Sequence, residues 1–120
     1  MSRLVHVIAK REVVGEREAF NWDYDSFVDL LDALDCNVCA LYAEDEGLTR
    51  FETQKVSYKK ALDVLKAYRK SGKLNEYYFD KDEIDVCIEN LGGIDNVIEQ
   101  MQGFLKESDK KCEWIIFVVW

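Results

Sequence analysis

The sequence predicts a single α+β domain over residues 1–120, with about four helices packed mainly on one face of a mixed β-sheet of about four to five strands. Residues 114–120 form an apolar run of β-branched and aromatic side chains, which is typical of a strand covered on both faces. We therefore expect this C-terminal strand to be central. Four further segments repeat apolar residues at helical spacing, which predicts the helices.

The first half of the chain predicts a strand, a helix and a hairpin. Residues 3–9 place apolar side chains on both faces of a strand. Asp25 or Ser26 is the expected cap of a helix that runs to about residue 35. Residues 37–43 and 48–54 are expected to pair across an acidic turn.

The second half predicts three helices before the final strand. Ser57 is the expected cap of the second helix, over residues 58–71, which Gly72 ends. Asp80 followed by Glu83 is a capping-box spacing for the third helix. Residues 94–107 have the clearest amphipathic pattern and predict the fourth. Residues 74–79 fit either a short strand or an aromatic connector.

The composition argues against several classes of function. A net charge of −8 disfavours nucleic-acid binding and attraction to anionic membranes, since both rely on Lys and Arg. The first residues show no basic head with an apolar stretch behind it, so we expect a cytoplasmic protein with reduced thiols.

The cysteines and the single histidine do not predict an active site. Cys36 and Cys39 form a Cys-x-x-Cys pair at a predicted helix C-terminus beside Asp32 and Asp35, where the helix dipole and the acids disfavour a thiolate. A metal bound by this pair stays open as the minor alternative. His6 lies in an apolar strand, as a packed histidine would. We expect no catalysis and no cofactor.

Asp25, Asp29 and Asp32 fall on one arc of the first helix, opposite its apolar face. Carboxylates at this spacing can share a divalent cation, but no glycine-rich phosphate loop accompanies them. We therefore interpret this arc as a solvated acidic surface.

Charge is arranged in blocks along the chain. Residues 16–52 hold 11 acidic and 2 basic residues. Residues 53–75 hold 1 acidic and 7 basic residues, and residues 76–109 hold 10 acidic and 2 basic residues. The first block also contains the alternating aromatics Phe20, Trp22 and Tyr24. Aromatic residues surrounded by acids are typical of a surface that binds a basic protein, although the same aromatics could instead close an edge of the core.

These patterns favour a small acidic protein that binds and inhibits a basic protein, such as a toxin or nuclease domain, in the manner of an immunity protein or antitoxin. The alternative is a homo-oligomeric ligand-binding or regulatory domain without catalysis, in which the basic second helix meets an acidic surface of another copy. The predicted partner-binding residues are Trp22, Asp23, Tyr24, Asp25, Asp29, Asp32, Glu44, Asp45 and Glu46.

Overall fold

The computed structural model describes residues 5–9, 12–13, 24–43, 48–108 and 113–119. The elements in chain order are β1 (Val5–Ala9), β2 (Glu12–Val13), α1 (Tyr24–Ala33), β3 (Cys39–Ala43), β4 (Leu48–Gln54), α2 (Lys55–Ser71), α3 (Lys81–Asn90), α4 (Ile94–Glu107) and β5 (Trp114–Val119).

The strands form one sheet in the order β2-β1-β5-β4-β3, so the C-terminal strand lies in the middle. The predicted mixed sheet is wrong, because each pairing between the described strands is antiparallel. A continuous apolar strand is typical of a parallel sheet, but here β5 runs antiparallel to both β1 and β4. One of the two edge strands, β2, has only two residues. The helices contain more of the described chain than the strands.

The two faces of β5 differ in burial. Ile115 and Phe117 are fully buried, whereas Trp114 and Ile116, on the opposite face, are partly exposed. The expectation of a strand fully covered on both faces is therefore wrong for these residues. The sheet has one deeply buried face, and the helices pack there.

Three helices meet the buried face through aromatic rings. Phe27 from α1, Tyr58 from α2 and Phe104 from α4 each lie with their ring centroid within 6.0 Å of the Phe117 ring. The Tyr58 hydroxyl also donates a 2.8 Å hydrogen bond to the Met101 carbonyl, so its one polar atom is satisfied inside the core. The third helix, α3, packs against α1 and α4.

The helix ends agree only in part with the sequence. The Asp80 side chain caps α3 by accepting a hydrogen bond from the Glu83 N–H, as predicted, and Gly72 ends α2 in the left-handed region. The predicted cap at Ser57 is wrong, because α2 already begins at Lys55. The cap predicted at Asp25 or Ser26 is also wrong, since both residues lie inside α1.

Candidate functional site

The acidic arc on α1 lies on the protein surface, as predicted. Asp25, Asp29 and Asp32 are exposed on α1. The opposite side of the helix is fixed in the core by the buried residues Phe27, Leu30 and Leu31, and by Leu34 directly after the helix. The three carboxylates are therefore presented by a helix that is anchored along most of its length.

A Schellman motif ends α1 and positions one more carboxylate. The Cys36 N–H donates to the Leu31 carbonyl at 2.9 Å, and the Asp35 N–H donates to the Asp32 carbonyl at 3.0 Å. Asp35 has a φ of 65°, the left-handed conformation that this motif requires. Its exposed side chain extends the acidic surface beyond the helix, and Cys36 returns to the core.

The electrostatics of this surface are unfavourable for the chain on its own. Partial burial raises the pKa of Asp32 above its ordinary value of 3.8, and the neighbouring Asp29 carboxylate raises it further. A hydrogen bond from the Val38 backbone N–H acts in the opposite direction and lowers this pKa. Asp29 thus repels Asp32, and a cationic group next to them would relieve this repulsion.

Of the other residues predicted for this site, the structure describes only Tyr24. Tyr24 is the first residue of α1. The remaining predicted residues lie outside the part of the chain that the structure describes: Trp22, Asp23, Glu44, Asp45 and Glu46. Whether the aromatic residues that precede α1 in the chain belong to a binding surface therefore stays a prediction.

The Cys-x-x-Cys pair is divided between core and surface. Cys36 is buried and its thiol donates a 3.5 Å hydrogen bond to the Ser57 carbonyl, whereas Cys39 is exposed at the start of β3. Burial raises the pKa of the Cys36 thiol to about 11, and the negative charges of Asp32 and Asp35 contribute to the rise. This environment opposes the thiolate that redox chemistry or metal binding needs.

The described residues contain no group of three His, Cys, Asp or Glu side chains placed to hold a metal ion. His6 is located in β1, opposite Val118 of β5. Within the described ranges, no helix combines the length and apolar character needed to cross a membrane.

An exposed aromatic feature between α2 and α3 was not recognised as a site from the sequence. Tyr77 and Tyr78 are 87% and 72% exposed, and their rings meet edge to face with centroids 4.9 Å apart. They line an open surface depression of about 530 Å³ formed by residues 76–82. The sequence feature that could have indicated this site is the pair of adjacent tyrosines in a segment that fits neither a helix nor a strand clearly.

Two polar contacts join the helices next to these tyrosines. The Tyr68 hydroxyl of α2 donates a 2.6 Å hydrogen bond to the Asp85 carboxylate of α3, and Arg69 of α2 forms a 3.2 Å ion pair with Asp95 of α4. The bond to Asp85 is the main cause that raises the pKa of Tyr68 from 10.0 to about 12. These contacts connect α2 to both later helices on the protein surface.

No protein-family model matches the chain, and no curated protein or solved structure matches it either. A proposal about function therefore depends on the chemistry of its own residues.

Proposed function

We propose that this chain is a small cytoplasmic protein that binds and neutralises a basic protein partner, such as a toxin or nuclease domain, as immunity proteins and antitoxins do. The observation that supports the proposal is the exposed row of Asp25, Asp29 and Asp32 on α1, a helix whose other side is anchored in the core. The proposal includes no catalytic step and no cofactor.

The carboxylates of the acidic row destabilise the free protein through mutual repulsion, and binding of a basic partner would relieve it. Carboxylates three and four residues apart on a helix destabilise it by roughly 0.2–0.5 kcal/mol per pair, and Asp29 has such a neighbour on each side. The raised pKa of Asp32 has the same origin in part. A basic partner would replace this repulsion with attraction, so binding energy comes from charges that the free protein holds unfavourably.

The geometry also favours fast and specific association. Acidic surfaces accelerate the encounter with a basic partner and suppress binding of acidic ones. Because Phe27, Leu30 and Leu31 hold α1 in place, little conformational freedom is lost when its exposed face is covered. Trp22 and Tyr24 enter the proposal as predicted aromatic anchors next to the acidic row.

Affinity capture tests the proposal. The full chain is immobilised and exposed to a lysate of its source at low and at high salt. A parallel bait carries Asp25→Asn, Asp29→Lys and Asp32→Lys, with circular dichroism confirming that it folds. We expect a basic protein that the native bait retains at low salt and that the altered bait loses, and we expect its own activity to fall when the chain is added.

A matched control separates the acidic row from total charge. It carries Asp63→Lys, Glu89→Lys and Glu99→Asn, which produces the same change in net charge at exposed positions on the other three helices. We expect this control bait to retain the partner protein at low salt, as the native bait does. If both baits lose it equally, net charge rather than the α1 surface is responsible, and the proposed site is wrong.

A further inference from the structure

Tyr77 and Tyr78 form the most exposed aromatic pair on the described surface. Large apolar side chains that stand this far into solvent are typical of interfaces, in which tyrosine is enriched. Val86, on α3, is also exposed. The described part of the chain leaves both tyrosine side chains largely uncovered.

The tyrosines are held in a defined geometry. The side-chain oxygen of Asn75 accepts a 3.1 Å hydrogen bond from the Tyr77 N–H, and the Asn75 carbonyl accepts from the N–H groups of Tyr78 and Phe79. Phe79 is half-buried and packs against the core cluster. The turn is therefore fixed at both ends, and covering its two exposed rings would order few additional groups.

The charges around the tyrosines are balanced, unlike those of the whole chain. Residues 69–83 contain four basic and four acidic residues, within a protein of net charge −8. The bases Lys70 and Lys73 precede the tyrosines, and the acids Glu76 and Asp82 flank or follow them; all four are exposed. Two copies of a protein with a net charge of −8 repel each other, but a surface whose own charges cancel opposes the approach of a second copy least. Its basic and acidic residues can pair across a twofold axis.

We propose that Tyr77 and Tyr78 are the centre of a twofold interface between two copies of this chain. In that dimer, Lys70 and Lys73 of each copy face Glu76 and Asp82 of the other, and the four tyrosine rings cover one another. A strongly basic or strongly acidic protein is a poorer occupant, because the charges of this surface cancel and attract neither. This inference uses a different surface from the acidic row on α1 and does not rest on the proposed function.

Sedimentation equilibrium of the purified full chain, from about 1 μM to 1 mM, is the first test. We expect a reversible monomer–dimer equilibrium that weakens as salt is added. The double variant Tyr77→Ser with Tyr78→Ser should weaken dimerisation at least roughly 30-fold, because buried tyrosines at the centre of an interface contribute strongly. Val56→Ser, which removes a comparably exposed side chain at the other end of α2, is the control and should not change the equilibrium.

A charge exchange then tests the orientation of the two copies. One variant carries Lys70→Glu and Lys73→Glu, and the other carries Glu76→Lys and Asp82→Lys. Each alone should remain monomeric, because like charges would face each other across the twofold axis. Their equimolar mixture should form a dimer, since opposite charges meet again at both contacts.

The outcomes are decisive. Recovery of association in the mixture alone, with circular dichroism confirming that each variant is folded, supports the twofold contact. A wild-type chain that stays monomeric at 1 mM overturns the proposal. So does a dimer that neither the tyrosine substitutions nor the charge exchange affects, because its interface must then lie elsewhere.

Discussion

Phe51 and Phe117 lie directly opposite each other on β4 and β5, and their rings stack with centroids 4.8 Å apart and planes 13° apart. Both side chains are fully buried. Phe117 also contacts aromatic rings from α1, α2 and α4, so one residue of the final strand joins the sheet to three helices. The apolar C-terminal run is therefore the part of the sequence on which the core is assembled.

Phe117→Ala should remove about 3–5 kcal/mol from the free energy of unfolding, because the lost ring leaves a cavity between four aromatic neighbours. Urea denaturation followed by circular dichroism measures this loss. Ile116→Ala, on the partly exposed face of the same strand, is the control and should cost clearly less. Equal losses at the two positions would mean that the Phe117 face is not the principal core.

Tyr68→Phe should lower the free energy of unfolding by roughly 0.5–1.5 kcal/mol at pH 7, because it deletes the hydrogen bond from α2 to Asp85 of α3. The contact is at the surface, so the lower end of that range is expected. Ser71→Ala removes a hydroxyl from the end of the same helix that bonds only within its own segment, and it serves as the comparison.

The pH dependence of the Tyr68 contact has a definite sign. The folded-state pKa of about 12 lies above the ordinary value of 10.0, so the native state favours the neutral phenol. The stability that Tyr68 contributes is therefore complete below pH 10 and is lost as the pH rises towards 12. In urea titrations at pH 8 and pH 11, the difference between wild type and Tyr68→Phe should shrink at the higher pH. A constant difference would contradict the assignment.

The sequence predicts local features of this fold better than it predicts how they assemble. Residues 94–107 form a helix with the predicted bounds, and Asp80 caps α3, because helix periodicity and capping depend on neighbours close in the chain. The predicted mixed sheet was wrong because a continuous apolar run such as residues 114–119, although typical of parallel sheets, does not by itself determine strand direction. For the candidate site, the acidic arc followed from helical spacing. The exposure of Tyr77 did not, because an aromatic residue in a connector is covered or exposed according to the tertiary packing around it.

Asp29→Asn should stabilise the protein at pH 7 by roughly 0.2–0.5 kcal/mol, because it removes a carboxylate that repels Asp25 and Asp32. A raised pKa means that the contribution of Asp32 to stability is present below pH 3.8 and is lost as the pH rises through the folded-state value. The gain from Asp29→Asn should accordingly shrink towards pH 3, where Asp32 is mostly protonated. Thermal unfolding at both pH values measures it.

Asp63→Asn is the matched control for that experiment. Asp63 lies among lysines on α2, with Lys59 four residues before it and Lys66 three residues after, so its removal should destabilise the protein at pH 7. If Asp29→Asn stabilises the protein and Asp63→Asn destabilises it, the effects come from the charges around each residue. They do not come from a general effect of replacing aspartate with asparagine. A loss of stability in Asp29→Asn would show that the α1 carboxylates are not in mutual repulsion.

Thiol labelling distinguishes the two cysteines of the Cys-x-x-Cys pair. In a Cys112→Ser background, Cys39 should react with a disulfide reagent at pH 8 in the folded protein, because its side chain is exposed. Cys36 should not, since it is buried and its pKa of about 11 leaves only about 0.1% thiolate at that pH. Unfolding in urea should release both Cys36 and the buried Cys87 for reaction. The rapid labelling of the folded protein should disappear in Cys39→Ser, because Cys39 is the thiol expected to react. If a fast phase persists in that variant, Cys36 or Cys87 is reactive in the folded state, and a redox or metal role for the pair would have to be reconsidered.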